Sequence, residues 1–320
     1  MKVVIGQLSG QASADLPGVL RAEFPDVTFE VATTPAEQVR AIVDADVFYG
    51  QPTREAFLAA RRLRWIHEPG TGIDKYRAVP ELAGSGVVLT NARGPHVVPM
   101  ADHVFALLLA LTHRVPDLVE DKRARRWDGR RYSGRYVDLD GRTMGILALG
   151  DIGLAVARRA VGFGMKVRAV EVAPMTAPSG VESVWGPEGL DELLSLSDVL
   201  VVTAPLTEQT RGLVDRRRLA LLPRGAYLIV VSRGGIVDEA ALAEALRSGG
   251  IAGAGLDVTS QEPLPPESPL WELENVLISP HSSASSPVVW PGRRRIFEEN
   301  LRRFLAGEPF LYVCDKKAGY

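Results

Sequence analysis

The sequence predicts an α/β protein built from two doubly wound parallel-sheet domains, one inserted into the other. Three observations lead there. Short apolar runs alternate with helix-spaced segments over residues 1–91, and a second such series starts at Thr143. Residues 100–112, MADHVFALLLALT, lie between the two series and are apolar on most faces, as a buried connecting helix would be. At 320 residues the chain is long enough for two cores of ordinary size.

The first series places strands at 3–5, 27–31, 47–49, 63–67 and 87–90, with helices at 16–23, 36–43 and 54–60. In the second series the strands fall at 144–149, 166–170, 199–203, 226–231, 251–256 and 276–279. Residues 291–305 form a charged helix rich in Arg and Glu, and a strand-like run follows at 310–313. We expect this tail to return to the first domain, so that one domain comprises 1–98 with 287–320 and the other 99–286.

The totals exclude several classes. Thirty-seven basic residues against thirty-nine acidic ones leave a net charge of −2, which gives no general attraction to nucleic acid or to an acidic membrane. The single cysteine, Cys314, rules out an internal disulfide framework and a cysteine-rich metal site, and no metal is expected. The opening MKVVIGQLSG is too short in its apolar run for a secretion signal and reads as a first strand. The longest strongly apolar segment, 104–111, is far short of a bilayer span. A soluble, cytoplasmic protein is expected. Residues 120–136 interleave Lys122, Arg123, Arg125, Arg126, Arg130, Arg131 and Arg135 with Trp127, Tyr132 and Tyr136. Such a mixture could hold single-stranded nucleic acid, but without a second basic patch it reads better as an arm at a two-fold contact, and hence as a homodimer.

The stretch that organises the second series is TMGILALGDIGLAVARRAVGFGMKVRAVE, from Thr143 to Glu171. A strand is broken by a tight turn, a helix follows with Ile152, Val156, Ala157 and Ala160 at helical spacing, and a second strand ends on the carboxylate of Glu171. This is the order of a dinucleotide-binding Rossmann unit. Gly150 lets a pyrophosphate approach the backbone, Gly153 lets the helix lie close to the strand, and the N–H groups from Asp151 to Leu154 would meet the phosphates. The first position of the motif is Ala148 rather than glycine. Its methyl is harmless at negative φ and strained at positive φ. Glu171 can accept from an adenosine ribose but opposes the extra phosphate of NADP, by on the order of a few kcal/mol at an effective dielectric of about 20. No Arg or Lys follows in Val172-Ala173-Pro174, so NAD is expected over NADP.

Three residues with chemistry to offer sit at the carboxyl ends of successive strands, where open α/β sheets bind ligands. Arg233 follows Val231-Ser232 and precedes two glycines, Glu262 lies in the loop after the strand ending at Asp257, and His281 follows Ile278-Ser279-Pro280. Each alone has an ordinary structural account as a cap, an ion pair or a loop carboxylate. An Arg that can clamp a carboxylate, an acid and an imidazole on one rim favour a site.

The stretches GILALGDIG, VVSRGGIVDEAAL, GAGLDVTSQEPLP and NVLISPHSSAS resemble the successive signatures of the D-isomer-specific 2-hydroxyacid dehydrogenases. EPGTGIDKY, VVLTNARG and PMADHVFALLLAL resemble that family's substrate loop, crossover strand and linking helix, and the likeness extends to the tail GEPFLYVCDKKAGY. The departures are Ala148 and Asp102, where a Glu is more usual. The resemblance implies a Rossmann cofactor domain inserted in a flavodoxin-like substrate domain, and hydride transfer between NAD(H) and a small 2-oxo or D-2-hydroxy acid of the glyoxylate or hydroxypyruvate type. Arg233 and the N–H groups of Gly70, Thr71 and Gly72 would hold the acid. His281 would pass the proton to and from the substrate oxygen, oriented by Glu262. Beside Ala148, Gly150, Asp151, Ile152, Gly153 and Glu171, the implied cofactor contacts are Asp257 at the carboxamide, Thr203 and Pro205 beneath adenine, Met100 near the nicotinamide, and Val231, Ser232, Arg233 and His281. Formate dehydrogenases place an amide beside the histidine, which Glu262 argues against. Phosphite dehydrogenase adds a lysine within the substrate loop, whereas Lys75 lies beyond Asp74. An NAD-sensing corepressor on the same fold is the alternative from another class, and an adenosylhomocysteine-type site would leave Arg233 no carboxylate to hold. Of the other histidines, His103 and His113 are expected to pack or cap on the linking helix, while His67 and His96, with Trp290, are candidates for the pocket wall.

Overall fold

The structure is a computed structural model, and it describes residues 1–6 and 15–319. The end of the MKVVIGQLSG stretch and the final Tyr320 lie outside the described residues. The chain divides into two compact units, residues 1–95 with 286–320, and residues 96–285.

The first unit alternates β1 (Lys2–Ile5), α1 (Leu16–Glu23), β2 (Thr28–Val31), α2 (Pro35–Ala41), β3 (Val47–Tyr49), α3 (Arg54–Ala59), β4 (Trp65–Glu68), α4 (Glu81–Gly84) and β5 (Val88–Asn91). All its strands pair in parallel in the order β2-β1-β3-β4-β5, a flavodoxin-like winding. Local chemistry starts its helices. Thr34 and Glu37 form a reciprocal capping box before α2, and the Thr53 hydroxyl accepts from the Ala56 N–H at the head of α3. The C-terminal helix Val289–Ala306 belongs to this unit. Its Phe297 stacks 5.4 Å from Trp65 and meets Tyr49 edge-on at 4.8 Å. The expected strand at 310–313 is reduced to one antiparallel bridge between Thr90 and Val313. Tyr312 is left-handed, at φ 56°, and the Asn300 side chain takes both the N–H and the carbonyl of Leu311, so no ladder can form there.

The second unit opens with α5 (Val97–Thr112) and α6 (Val115–Arg123) and continues as β6 (Thr143–Leu147), α7 (Asp151–Gly162), β7 (Lys166–Val170), β8 (Val181–Trp185), α8 (Leu190–Leu196), β9 (Val199–Val202), α9 (Arg216–Leu219), β10 (Tyr227–Val230), α10 (Glu239–Arg247), β11 (Gly253–Leu256) and β12 (Val276–Ile278). Its sheet runs β12-β11-β10-β9-β6-β7-β8, all parallel. The order reverses between β6 and β9, which is the switch point at which such sheets open a crevice. The edge strand β8 is an addition to the strands expected from sequence. Helix α5 lies against β11: a Cβ on Gly255 would fall 2.9 Å from the Cβ of Leu107, so this strand position excludes any larger residue.

The basic segment after α6 folds on itself. Asp121, buried, accepts from Arg126 at 2.7 Å, from Tyr132 at 2.5 Å and from Arg131. Those donors hold its carboxyl below the usual range, the Tyr132 hydroxyl foremost. Trp127 is fully exposed at the tip. Among the described residues no helix is long and apolar enough to cross a membrane.

Candidate active site

The turn from β6 into α7 is shaped by two small residues and a hydroxyl. A Cβ on Gly153 would fall 2.4 Å from the carbonyl oxygen of Ala148, backbone that cannot give way, so only glycine lets the helix start this close to the strand. At Gly150, the cap of α7, a Cβ would meet nothing within 4 Å: the backbone there faces open space at the positive end of the helix. Thr203, at the end of β9, donates from its hydroxyl to the Ala148 carbonyl at 2.7 Å and so holds the turn down, while Pro205 beyond it is exposed. Glu171 closes the rim. One of its oxygens accepts from the Leu149 N–H at 2.7 Å, the other from those of Val172 and Ala173 at 2.8 and 3.2 Å. At the end of the neighbouring strand β10, the Ser232 hydroxyl is buried with no hydrogen-bond partner. An open glycine at a helix N-terminus, a fixed carboxylate and a buried orphan hydroxyl fit a dinucleotide.

Ala148 adopts φ 77°, so the motif's first position does require the left-handed region. Alanine costs about 1–2 kcal/mol there, which glycine avoids at some entropic cost of its own. We expect Ala148→Gly to raise the unfolding free energy of this unit by roughly 0.5–1 kcal/mol, read by urea denaturation. A lower stability would mean that the methyl's packing outweighs the strain.

Arg233, Glu262 and His281 follow β10, β11 and β12, three adjacent parallel strands. The Arg233 loop is pressed onto the next one: a Cβ on Gly234 would fall 2.0 Å from the backbone of Thr259. The Arg233 guanidinium donates to the Ser232 carbonyl at 2.7 Å. Glu239, the first residue of α10, accepts from the hydroxyl of Ser260 at 2.8 Å and from its N–H, tying down the loop that carries Glu262. Glu262 takes the Thr259 N–H on one oxygen at 3.2 Å and meets His281 Nδ1 with the other at 2.8 Å. The two side chains are 39% and 47% exposed, so a ligand can reach the pair. His281 itself is left-handed, at φ 50°, its N–H donating to the Asp257 carbonyl at 2.8 Å.

Two expected contacts take other partners in the structure. Asp257 is buried, and its carboxylate accepts from the Ser279 hydroxyl at 2.6 Å and the N–H groups of Ser282 and Ser283 at 2.9 and 3.0 Å. Burial works against that charge, but these donors outweigh it and hold the carboxyl below its ordinary range. In the structure this carboxylate holds the His281 turn. In the first unit, the Gly70 N–H, expected to bind substrate, donates to Glu68 Oε1 at 2.8 Å. Glu68 is buried at the end of β4, where Tyr76 and Lys75 also reach it, at 3.0 and 2.9 Å. The loop is further fixed by Asn91, which donates to the Thr71 carbonyl at 2.8 Å. Met100, on α5, is buried in the core of the second unit, Val231 is buried beside Ser232, and Asp151 and Ile152 form the first turn of α7. His67 is fully buried among Tyr49, Trp65 and Phe297, a core residue of the first unit. His113 ends α5 and stacks on Tyr136 at 5.4 Å. Sequence reasoning passed over Glu68, Glu239 and Ser279: each lies within a stretch that resembles the family, but each acts through a neighbour that the sequence does not reveal.

A family model for the D-isomer specific 2-hydroxyacid dehydrogenase NAD-binding domain matches residues 105–283. The glyoxylate reductase of Korarchaeum cryptofilum is 39% identical over 259 residues, 79% of this chain and 76% of that protein. The D-3-phosphoglycerate dehydrogenase of Methanocaldococcus jannaschii is 34% identical over 288 residues, 87% of this chain, which spans only about half (54%) of that protein. A crystal structure of a D-isomer specific 2-hydroxyacid dehydrogenase from Xanthobacter autotrophicus Py2, in complex with NADPH and MES, superposes with a TM-score of 0.84 at 33% identity, covering 100% of this chain and 99% of the other. With more than half of its length matched by the family model and an archaeal relative covered over most of its length, the chain belongs to the D-isomer specific 2-hydroxyacid dehydrogenases, a family of oxidoreductases.

Proposed function

We propose that the protein reduces a small 2-oxo acid of the glyoxylate or hydroxypyruvate type to its D-2-hydroxy acid, using NADH in preference to NADPH. The observation that carries this is the His281–Glu262 pair, held at 2.8 Å on the rim of a dinucleotide-binding sheet. Glu262 occupies Nδ1, which leaves Nε2 to donate a proton to the developing alkoxide and, in the oxidation direction, to take it back. Arg233, at the end of the adjoining strand, is the group to hold the substrate carboxylate by paired N–H bonds. Gly150, Asp151, Ile152, Gly153 and Ser232 would hold the dinucleotide, with Ala148, Thr203 and Pro205 forming its bed. Bound there, the nicotinamide supplies the hydride. Glyoxylate heads the substrate series because the glyoxylate reductase of Korarchaeum cryptofilum is 39% identical. Relatives named for turnover favour an enzyme over a nucleotide sensor.

Cofactor choice rests on Glu171. The Xanthobacter neighbour was solved with NADPH, so the fold itself does not exclude the phosphorylated dinucleotide, and we assign the choice in this chain to the local charge. In this chain both carboxylate oxygens are fixed at the rim by backbone donors, and the ribose phosphate of NADP would meet that charge. The experiment is a panel of glyoxylate, hydroxypyruvate, pyruvate and bulkier 2-oxo acids with each cofactor. We expect NADH oxidation with at least one acid, and a Glu171→Ser change that moves kcat/KM toward NADPH by about tenfold or more. A wild-type preference for NADPH overturns the cofactor assignment, and silence with every acid overturns the reaction. We further assign the arm around Trp127, with the exposed Val115, Leu118 and Val119 of α6, to a homodimer contact; a monomer mass by light scattering would refute it.

A further inference from the structure

His103 is the one imidazole on α5 placed against the strand ends that carry the site. Along α5, His103 precedes Leu107 by one turn, a rise of about 6 Å. Along β11, Asp257 lies two residues beyond Gly255, about 6.6 Å. Because Leu107 packs on Gly255, the antiparallel run of helix and strand brings His103 level with Asp257. There its Nε2 lies 2.8 Å from the Ser279 hydroxyl oxygen and 3.7 Å from Asp257 Oδ1. The Ser279 hydroxyl has one proton, and it goes to Asp257 Oδ1 at 2.6 Å. The contact from His103 is therefore an N–H donation into the serine lone pair, which fixes the histidine proton on Nε2.

We propose that His103 is a positioning residue for His281, acting through Ser279 and Asp257. The inference rests on the reading of His281 as the proton donor. The chain runs from α5 to the end of β12 and on to the end of β11, where Asp257 holds the Ser282 and Ser283 N–H groups and its own carbonyl takes that of His281. Glu262 fixes the imidazole ring on the other side. The backbone at His281 is left-handed, a conformation that persists only where the surroundings determine it, and this carboxylate fixes the two residues that follow. Its own orientation depends on the serine, and the serine's on the histidine. Without His103 the hydroxyl of Ser279 gains a lone pair to satisfy and freedom to turn away from Asp257.

The test uses the full chain in four forms: His103→Ala, Ser279→Ala, the double variant, and His103→Gln, whose side-chain amide can donate from near the place of Nε2. We expect each single alanine to lower kcat for glyoxylate by about tenfold, with the KM for the acid changed less than threefold. The double variant should be no slower than the slower single, and His103→Gln should recover most of the rate. Without any ligand, exchange of the Ser282 and Ser283 amide protons should quicken in both alanine variants. Ser279→Ala removes one oxygen and tests the chain even if His103→Ala fails to fold. Wild-type rate and wild-type amide protection in His103→Ala, or losses that multiply in the double variant, would overturn the proposal. An inactive wild type would instead refute the reaction, and the amide exchange would still decide whether the chain holds the turn.

Discussion

A His281→Ala protein is expected to reduce glyoxylate about 10²–10⁴-fold more slowly than the wild type, the range for removal of a positioned general acid. The loss should fall on kcat, with the KM for the acid and the affinity for NADH changed little, because Arg233 and the Gly150 turn are untouched. Glu262→Gln is the sharper variant. Its one carbonyl oxygen can serve Nδ1, where the carboxylate now sits at 2.8 Å, only by giving up the Thr259 N–H that the other oxygen takes at 3.2 Å, and it removes the negative charge beside the ring. The pair is close to half exposed, so solvent screens part of that charge. We therefore expect a smaller loss, on the order of tenfold, concentrated in the proton-coupled step and visible in the pH dependence of kcat/KM. Steady-state NADH oxidation across pH 5 to 9 reads both variants. If His281→Ala retained a tenth of the wild-type kcat, the imidazole would not be the donor, and the role of Glu262 would fall with it.

How much of this was legible beforehand follows from what each feature depends on. The parallel strands announced themselves as apolar runs closed by turn residues, and the Gly150–Gly153 turn with Glu171 beyond it carried a spacing that few other structures need. Arg233, Glu262 and His281 could be placed because strand ends in a parallel sheet share one rim, so order along the chain converts directly into proximity. β8 escaped because it is an edge strand, VESVW, with a half-buried pattern and polar residues among its apolar ones. The strand at 310–313 was misjudged because Asn300, eleven residues before Leu311 and on a helix, competes for the backbone of Leu311. The roles of Asp257 and Gly70 depend on side-chain direction and on which acceptor reaches a given N–H first. Glu68 comes within reach of Gly70 only because β4 ends where it does, and no periodicity records that. His103 illustrates the same limit: a polar residue on a nearly apolar helix was visible as an exception, but its partner Ser279 lies on a distant strand.

The first unit should lose stability in acid through His67. Its ring is fully buried, with Nδ1 2.9 Å from the Thr90 hydroxyl and Nε2 without any hydrogen-bond partner. Thr90 already accepts the Trp65 indole N–H at 2.8 Å, and the rings of Tyr49 and Phe297 lie 5.7 and 5.1 Å away, so a second ring proton would face no acceptor. Burial alone pushes the imidazole down to about 3. The sign follows from a depressed base: above the unfolded value of about 6.5 both states are neutral and nothing is lost. Below it the unfolded chain takes up a proton that the folded unit refuses, and stability falls by up to about 1.4 kcal/mol per pH unit until the folded group titrates. By pH 4.5 the loss from this one residue is about 3 kcal/mol. A chain of two units does not unfold in one step, so a local probe is required, and amide exchange in β3 and β4 supplies it. We expect those amides to lose protection between pH 6.5 and 4.5, after correction for intrinsic exchange, and a His67→Phe variant to lose about 2 kcal/mol less over the same interval. Equal acid sensitivity in the two proteins would assign the effect to other groups, such as the buried Asp46, whose carboxyl lies below its ordinary range.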